Sequence, residues 1–333
     1  MTKIAIVGTG AWGTALAMHA ANAGHLVALL GRRPDFVERL AATRRHPSLP
    51  GAPPVPESVA VTTDPAAAFG SAAAVLWAVS VQATAAEAQR LAAALPPTVP
   101  LVSTSKGLEI GSKRRTSEIL AQATGRKDGL AALSGPTFAA EVARALPAAA
   151  VVACADPGLG PALQTLLSSP TFRLYRSTDV LGVEIAAASK NVVAIAAGIV
   201  DGLQLGQNTR AALLTRALAE IRRFGTTLGG LPDTFAGLAG VGDLILTATG
   251  DLSRNRRVGL ALASGKSLAE AVESLGGEVA EGVATAGVLV ELARSVNVEM
   301  PIAEIVVEIL SGTKTPKEAV ASLMTRRLKL ESV

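Results

Sequence analysis

Short apolar runs alternate with stretches of helical period through the first half of the chain. The run Lys3–Val7 is typical of a buried strand, and the helix predicted after it stops at Gly24. Strands are predicted at 3–7, 25–30, 59–63, 73–79, 100–104, 130–134, 149–153 and 172–175, and helices at 11–23, 81–95, 113–123 and 161–168. Such alternation predicts a mostly parallel sheet with helices on both faces.

The pattern changes near residue 178, after which the period is helical throughout. Glycine and proline interrupt it at 202, 225–232, 250, 276–277 and 301, and no strand-like alternation competes with it. We therefore predict an α/β N-terminal domain over 1–178 and an all-α C-terminal domain over 179–333. The proline-rich stretch 47–56 is predicted to be a surface loop that acts as a lid or a connector.

The composition of the 333 residues excludes several classes of protein. Apolar residues make up 49% and charged residues 17%, which excludes a disordered chain. Aromatic residues make up only 3%, which argues against a protein that stacks single-stranded bases. The net charge of +4 is spread over short basic runs, so we expect an anionic small molecule as the partner, and no nucleic acid.

Further classes of protein are excluded by the single cysteine, the few histidines and the length of the longest apolar run. Cys154 is the only cysteine, so no internal disulfide is possible and nothing suggests an oxidising compartment. With three scattered histidines, no metal site is predicted. The longest nearly charge-free stretch, 185–200, is too short to span a bilayer comfortably and holds Lys190 in its middle. We therefore expect a cytoplasmic protein with no targeting segment and no stable membrane insertion.

A glycine-rich turn, residues 8–13 (GTGAWG), joins the first predicted strand to the first predicted helix. In this context Gly8 makes the tight turn, Gly10 lets the backbone approach a pyrophosphate, and Gly13 allows close helix–strand packing. The N-terminus of the helix then faces the phosphates. The pattern predicts a Rossmann-like domain that binds a dinucleotide, and a merely structural glycine turn is the alternative.

The end of the second strand bears on which dinucleotide is bound. A site that prefers NAD usually has Asp or Glu there, whereas this strand is followed by Arg32 and Arg33. Guanidinium groups suit a 2′-phosphate through bidentate contacts. We therefore predict that NADP(H) is preferred and that NAD(H) is possible, with Asp35 serving an NAD ribose if the loop folds back. A solvated basic turn is the alternative.

Two further strand ends carry candidate ligand-binding residues. Lys106 follows one strand and can meet a nicotinamide, a carbonyl or a phosphate. Gly135, with Thr137 two residues later, follows another strand and permits close approach of a ligand. In an open parallel sheet, ligands bind outside the carboxyl ends of the strands. A surface lysine and a plain turn are the alternatives.

Lys190 is the strongest candidate for catalysis. Every other position from 185 to 200 is uncharged, which indicates a helix that is buried nearly all round. A buried ammonium must find partners or lose its proton, and a lysine with a lowered pKa is a suitable general acid and base near neutral pH. A lysine that extends from the helix surface into solvent is the alternative.

Two later segments offer partners for Lys190 and for an anion. Asp243 can orient Lys190 or balance its charge, and Arg254 with Asn255 can hold a phosphate. Taken alone, a basic cluster in a turn is more typical of a solvated face. Glu281, at the start of a predicted helix, is by itself typical of a surface residue.

Together these segments resemble the bacterial-type NAD(P)-dependent glycerol-3-phosphate dehydrogenase family. The residues that carry the resemblance are 8–13, 105–107, 134–139, 188–191, 208–210, 242–244, 254–256, 279 and 281–282, in family order. The resemblance implies reversible hydride transfer between dihydroxyacetone phosphate and sn-glycerol 3-phosphate, which supplies glycerol 3-phosphate for phospholipid synthesis. It also implies that Lys190 is the proton donor and acceptor. We expect a phosphorylated small-molecule substrate and a homodimer.

The resemblance also implies two sets of site residues. Around the substrate it places Lys106, Gly135, Thr137, Lys190, Asp243, Ser253, Arg254 and Asn255. At the cofactor, with the glycine turn included, the expected residues are Gly8, Gly10, Ala11, Trp12, Gly13, Arg32, Arg33, Lys106, Ala139, Arg254, Val279 and Glu281. Ala11 departs from the family, which often has serine there, so only its backbone amide is expected to contact phosphate.

Two other functions are consistent with the residues. One is a related two-domain dehydrogenase that acts on a hydroxy acid, whose anionic group is a carboxylate. The other is a non-catalytic NADP-binding sensor or scaffold. Lys190 and Asp243 argue against a sensor, which has no need of a proton donor.

Overall fold

An eight-stranded sheet occupies the first part of the chain in the computed structural model, which describes residues 1–276, 279–325 and 327. Its strands are β1 (Lys3–Val7), β2 (Leu26–Leu30), β3 (Val59–Thr62), β4 (Ala72–Trp77), β5 (Leu101–Ser103), β6 (Leu130–Ser134), β7 (Ala148–Cys154) and β8 (Phe172–Ser177). They are ordered β3-β2-β1-β4-β5-β6-β7-β8, and β7 runs antiparallel to β6. The strand order reverses beside β1, and that is the point where open parallel sheets bind ligands.

Seven helices accompany the sheet. They are α1 (Ala11–Asn22), α2 (Pro34–Thr43), α3 (Pro65–Phe69), α4 (Val81–Leu91), α5 (Thr116–Thr124), α6 (Ala139–Ala143) and α7 (Leu159–Leu167). Every predicted strand is present, with bounds that differ by at most two residues. The prediction missed α2, α3 and α6. It also began α5 too early, because Lys113 has a left-handed φ of 61° and cannot start a right-handed helix.

The sheet is buried on both faces, and β1 shows how. Ile4 and Ile6 belong to one apolar cluster, whereas Ala5 and Val7 belong to the other. Successive side chains of a strand point to opposite faces, so a strand covered on both sides has a continuous apolar sequence. This is why β1 has no polar–apolar alternation.

After β8, all the regular secondary structure in the described part of the chain is helical. They are α8 (Val180–Gly202), α9 (Gly206–Thr227), α10 (Pro232–Ala236), α11 (Asp243–Thr249), α12 (Arg254–Ala263), α13 (Leu268–Glu273), α14 (Glu281–Ser295), α15 (Pro301–Leu310) and α16 (Pro316–Met324), with a π-helical turn at Leu238–Gly242. The all-α prediction agrees with this where the chain is described. Residues 277–278, placed at a predicted turn, and 326 and 328–333, at the end of the predicted domain, lie outside the described residues.

The contacts divide the chain into two units. The sheet unit comprises 1–105 and 114–180, and the helical unit comprises 106–113 and 181–333. The segment 106–113 follows β5, yet its Leu108 side chain is buried in the apolar core of the helical unit. The sequence placed this segment within the N-terminal domain. Lys106 is therefore a residue of the helical unit.

α8 is the most buried helix of the helical unit. Each residue from Gly182 to Val200 is buried, which the mostly apolar sequence of 185–200 predicts. The helix is long and apolar enough to cross a membrane, but 94% of the window that passes this test is buried inside the protein. Its apolar character is thus accounted for by its place in the core.

α8 and α12 cross at unusually short range. A Cβ atom on Gly198 would lie 2.1 Å from the carbonyl oxygen of Arg256, and one on Gly259 would lie 2.1 Å from that of Ile195. One turn further along α8, a Cβ on Gly202 would lie 2.5 Å from the Cβ of Ala263. Small residues spaced four apart on both helices permit this approach, which brings the N-terminal turn of α12 beside the middle of α8.

The proline-rich stretch 47–56 is held against the sheet unit by apolar side chains. Leu49, Ala52 and Val55 are buried in the same cluster as Ile4. The N–H of Val55 donates to the carbonyl of Arg44 at 2.8 Å, which closes the loop at its base. The stretch is a surface loop, as predicted, but it is anchored at three points.

Candidate active site

Each of the three glycines in the first turn has a different structural role. Gly8 has a φ of 110°, and a Cβ there would lie 2.5 Å from the carbonyl oxygen of Ala78. A Cβ on Gly13 would lie 1.9 Å from the carbonyl oxygen of Gly8, so only glycine lets α1 start so close to the turn. A Cβ on Gly10 would meet nothing within 4 Å, which leaves open space over the turn. These are the features that pyrophosphate binding requires.

The N-terminus of α1 is suited to an anion. Gly10 is its N-cap residue, and no side chain accepts from the first N–H groups. These donors and the positive end of the helix dipole fit a pyrophosphate. Trp12 adds a buried indole N–H that has no acceptor among the described residues. Ala11 has no polar side-chain atom, so a contact with phosphate could be made only by its backbone amide.

Two arginines lie where β2 ends. Arg32 is exposed and has no ion-pair or hydrogen-bond partner in the described part of the chain. The guanidinium of Arg33 stacks 5.0 Å from the ring centre of Phe36. Asp35 lies in the first turn of α2, where a carboxylate is favoured by the helix dipole whether or not it binds a ribose.

The turn after β6 contains three predicted site residues. A Cβ on Gly135 would lie 2.8 Å from the Cα of Ala150 on β7, so glycine is required here for strand packing as well. Thr137 donates its hydroxyl to the carbonyl of Gly135 at 3.1 Å, and Ala139 is the first residue of α6. The packing requirement at Gly135 was not predicted from the sequence.

A lysine–aspartate–lysine cluster lies within the helical unit. Lys190 Nζ on α8 donates to Asp243 Oδ1 on α11 at 2.6 Å, and Lys106 Nζ donates to Asp243 Oδ2 at 2.8 Å. Lys190 also donates to Thr247 Oγ1 at 2.6 Å. Asp243 is 1% exposed and Lys190 5%. One buried carboxylate therefore bridges two ammonium groups contributed by separate parts of the chain.

A π-helical turn positions Asp243. The N–H of Gly242 donates to the carbonyl of Gly237, five residues earlier, at 3.1 Å. A Cβ on Gly240 would lie 2.0 Å from the carbonyl oxygen of Phe235, so only glycine fits. Asp243 follows as the first residue of α11, a favourable place for a carboxylate. π-Helical turns occur frequently at functional sites.

The cluster shifts the pKa of both buried members. Burial lowers the pKa of Lys190 to about 7, although Asp243 partly offsets this effect and the Lys106 ammonium adds to it. Burial alone would raise the pKa of Asp243, but the charges of Lys106 and Lys190 outweigh burial and lower it. Asp243 is therefore a carboxylate at neutral pH, and Lys190 can gain or lose a proton there.

A chain of amide hydrogen bonds runs beside this cluster. Asn191 Nδ2 donates to the carbonyl of Lys106 at 3.1 Å, and Asn255 Nδ2 donates to Asn191 Oδ1 at 3.0 Å. The N–H of Gly282 donates to Asn255 Oδ1 at 2.9 Å. Both asparagines are buried, so these bonds fix α8, α12, α14 and the segment 106–113 relative to each other.

The N-terminus of α12 is a second place suited to an anion. Ser253 is the N-cap, and its Oγ accepts from the N–H of Arg256 at 3.2 Å. The Arg254 guanidinium is exposed, and neither it nor the backbone N–H groups of Arg254 and Asn255 have an acceptor among the residues described. Arg256 is instead held by Asp201 at 2.8 Å and by Asp251 at 2.9 Å. Arg254 is thus the arginine of this turn that can meet a ligand.

The sequence identified Lys106, Lys190 and Asp243 as candidates, but it did not identify two residues that bond to these lysines. Thr247 shares a helix face with Asp243 at i, i+4 spacing, a signal that could have identified it. Asn191 was noted only as part of a motif, and its bonds to Lys106 and Asn255 have no local signal. Val279 is exposed, and Glu281 is the first residue of α14, directly before Gly282.

The predicted residues fall into both units. The helical unit holds Lys106, Lys190, Asp243, Ser253, Arg254, Asn255, Val279 and Glu281, and the sheet unit holds Gly8, Gly10, Ala11, Trp12, Gly13, Arg32, Arg33, Gly135, Thr137 and Ala139. Within the described ranges, no three His, Cys, Asp or Glu residues are grouped so that they could hold a metal ion.

Comparison with known proteins gives consistent matches over the whole chain. Family models described as the N-terminus and the C-terminus of NAD-dependent glycerol-3-phosphate dehydrogenase match residues 3–159 and 179–321. A glycerol-3-phosphate dehydrogenase (NAD(P)+) of Aromatoleum aromaticum is 48% identical over 99% of this chain and 100% of its own length. One of a Bradyrhizobium species is 49% identical over 98% of each chain. The crystal structure of glycerol-3-phosphate dehydrogenase from Coxiella burnetii matches with a TM-score of 0.92 and 37% identity, covering 98% of this chain and 99% of its own.

Proposed function

Because the chain belongs to the NAD-dependent glycerol-3-phosphate dehydrogenase family, we propose that it interconverts dihydroxyacetone phosphate and sn-glycerol 3-phosphate with NAD(P)H. The observation that carries the proposal is the buried Lys190, which is bonded to Asp243 and Thr247 and has a pKa of about 7. A group that titrates near neutral pH is suited to donate a proton in one direction and accept it in the other.

Lys190 supplies the proton for ketone reduction. An ammonium group has three N–H donors, and Asp243 and Thr247 take two of them among the described residues. The third donates to the carbonyl oxygen of the substrate and transfers its proton as negative charge develops there. The nicotinamide cofactor, when bound, supplies the hydride. In the reverse direction neutral Lys190 accepts the hydroxyl proton.

Asp243 and Lys106 together hold the pKa of Lys190 near neutral pH. The Asp243 carboxylate stabilises protonated Lys190, and without it burial would lower the pKa of the lysine further. Lys106 shares the carboxylate, so its positive charge lowers the same pKa. We propose that Lys106 also contacts the substrate and the cofactor, as the family resemblance implies.

The substrate phosphate is proposed to bind at the N-terminus of α12. Arg254 offers a free guanidinium, and the first N–H groups of the helix lie next to it. The side chain of Asn255 already bonds Asn191 and Gly282, so we assign its contact with phosphate to its backbone N–H. A phosphate fixed here holds the reacting carbonyl in place. Ser253, Gly135 and Thr137 complete the proposed substrate residues.

The cofactor is proposed to bind over the glycine turn of the sheet unit. Gly8, Gly10 and Gly13 shape the turn, and the N–H groups of Ala11 and Trp12 meet the pyrophosphate. Arg32 and Arg33 are proposed to hold a 2′-phosphate, so that NADPH is preferred over NADH. Ala139, Val279, Glu281, Arg254 and Lys106 are the other cofactor residues implied by the family.

Several broader features stay predictions. These are a cofactor-binding role for 1–178, a substrate-binding role for 179–333, a homodimer and a cytoplasmic location. We also propose that the enzyme supplies glycerol 3-phosphate for phospholipid synthesis, the role that the resemblance implies. Sedimentation of the purified protein would decide the oligomeric state.

One absorbance assay tests the central proposal. NADPH oxidation is followed with dihydroxyacetone phosphate, with dihydroxyacetone, and with a 2-keto acid such as pyruvate. Of the three compounds, we expect only dihydroxyacetone phosphate to be turned over. Turnover with the keto acid would favour the hydroxy-acid dehydrogenase, and NADPH binding without oxidation by any of the three would favour a sensor.

A further inference from the structure

His46 connects the proline-rich loop to the glycine turn of the sheet unit. Its Nε2 lies 3.0 Å from the carbonyl oxygen of Thr9, the residue between Gly8 and Gly10. Its Nδ1 accepts from the N–H of Ser48 at 3.1 Å. The ring is half-buried and packs edge-on against Phe36, with ring centres 5.4 Å apart.

These two bonds define the tautomer of the imidazole. Nδ1 accepts a hydrogen bond from a backbone amide and therefore carries no proton. The proton of the neutral ring is on Nε2, which donates it to the Thr9 carbonyl. Leu49, Ala52 and Val55 anchor the loop in the core, so the position of the His46 hydrogen-bond donor is fixed.

The Thr9 carbonyl shares its peptide plane with the N–H of Gly10. In a planar trans peptide the two groups point in opposite directions. A donor on the carbonyl therefore fixes the direction of the Gly10 N–H, and it also polarises the peptide so that this N–H becomes a better donor. Gly10 has no side chain, and a Cβ there would meet nothing within 4 Å, so side-chain packing at Gly10 does not help to fix this plane.

We propose that His46 is a positioning residue for cofactor binding, which orients the Thr9–Gly10 peptide so that the Gly10 N–H meets the pyrophosphate. This rests on the proposed function, since it takes the glycine turn as the cofactor site. The pyrophosphate is common to NADPH and NADH. The effect of His46 is therefore the same for both cofactors, unlike that of Arg32 and Arg33.

Two conservative variants separate the two hydrogen bonds. The side-chain oxygen of asparagine in His46→Asn occupies the place of Nδ1 and keeps the bond from Ser48, but the side chain is too short to reach Thr9. The amide nitrogen of glutamine in His46→Gln occupies the place of Nε2 and keeps the bond to Thr9. The first variant removes the proposed bond and the second restores it.

The test is a calorimetric titration of each full-length protein with NADPH and with NADH, followed by steady-state kinetics with dihydroxyacetone phosphate. Loss of one hydrogen bond should weaken binding of both cofactors roughly two- to tenfold in His46→Asn. The His46→Gln variant should bind within about twofold of the parent protein. The kcat at saturating cofactor and the KM for dihydroxyacetone phosphate should be unchanged in both.

The outcomes distinguish this inference from the proposed function. If the parent protein binds neither cofactor, the proposed function fails. If the parent binds and His46→Asn binds equally well, or if His46→Gln is weakened as much as His46→Asn, the positioning role is wrong. Melting temperatures of both variants are measured alongside, and a loss of folding without the difference in affinity also contradicts it.

Discussion

At the scale of single residues, one carboxylate organises the chemistry of the helical unit. Asp243 bonds Lys190 through one oxygen and Lys106 through the other, and it is almost fully buried. A buried carboxylate between two ammonium groups keeps its charge, and burial lowers the pKa of Lys190 to about 7. The proposed proton-transfer role of Lys190 thus rests on its surroundings and not on its residue type alone.

The pH dependence of the two reaction directions should be opposite. Reduction of the ketone needs protonated Lys190, so its kcat/KM should be level below pH about 7 and fall above it. Oxidation of glycerol 3-phosphate needs neutral Lys190, so its kcat/KM should rise through the same pH and then level off. Both profiles are measured as kcat/KM, because this ratio reports the pKa of the enzyme before it binds substrate.

The Lys190→Ala variant should lose about 10²–10⁴-fold in kcat and lose the inflection, while it still binds NADPH. Lys266→Ala, which removes an exposed lysine of the helical unit, is the matched control and should keep both profiles. Profiles that bend in the same sense in both directions would show that Lys190 is not the acid and base.

Arg254→Ala should raise the KM for dihydroxyacetone phosphate far more than the KM for NADPH. Loss of a charged hydrogen-bond partner costs about 1.5–3 kcal/mol, and exposure of Arg254 favours the lower end of that range. Arg257→Ala removes the same charge from the same helix and should have little effect. The phosphate assignment is wrong if the Arg254 variant still discriminates dihydroxyacetone phosphate from dihydroxyacetone as the parent does.

Replacement of Arg32 and Arg33 by serine should reduce the preference for NADPH while activity with NADH is kept. Each charge-assisted contact contributes about 1.5–3 kcal/mol before solvent screening, so the preference of the parent should also shrink as salt rises. The measurement is kcat/KM for both cofactors at low and high ionic strength. The Arg39→Ser variant is the control, and it tests whether loss of any nearby positive charge reduces the preference for NADPH. Equal values for the two cofactors in the parent at low salt would contradict the assignment.

At the scale of elements, glycines set the positions of the functional side chains. Gly240 lets the π-helical turn fold against the backbone of Phe235, and Asp243 follows directly. Gly198 and Gly259 let α12 approach α8. This approach places Asn255, which follows Arg254, within hydrogen-bonding distance of Asn191. The distances of the site thus depend on helix crossings that no larger side chain would permit.

Gly198→Ala should therefore impair stability and catalysis together. The added methyl would lie 2.1 Å from a carbonyl oxygen of α12, so the helices must move apart at a cost of about 1–3 kcal/mol. We expect a lower melting temperature and a higher KM for dihydroxyacetone phosphate, because the N-terminus of α12 shifts.

Gly287→Ala on α14 is the control for this variant, since its Cβ would meet nothing within 4 Å. It should stabilise the protein by roughly 0.5–1 kcal/mol through helix propensity. Thermal unfolding and steady-state kinetics on both variants check the argument. Equal behaviour of the two variants would show that the crossing tolerates a methyl group.

At the scale of the whole molecule, the sequence predicted what depends on local pattern. The glycine turn, the strands and Lys190 all have signals within a few residues. α3 and α6, five residues each, are too short to show a helical period, and α2 was missed although Pro34 at its first position is a start signal. The bonds of Asn191 to Lys106 and of His46 to Thr9 join residues distant in sequence, so pattern alone could not place them.

The segment 106–113 has a consequence for how this protein could have been assembled. The chain passes between the two units after residue 105, again after 113 and a third time after 180. A gene fragment that encoded 181–333 alone would leave behind Lys106, one of the two cations on Asp243. The residues of the lysine–aspartate–lysine cluster are therefore not contiguous in the gene. Exchange of the C-terminal half between related genes would combine Lys106 from one gene with Asp243 from the other.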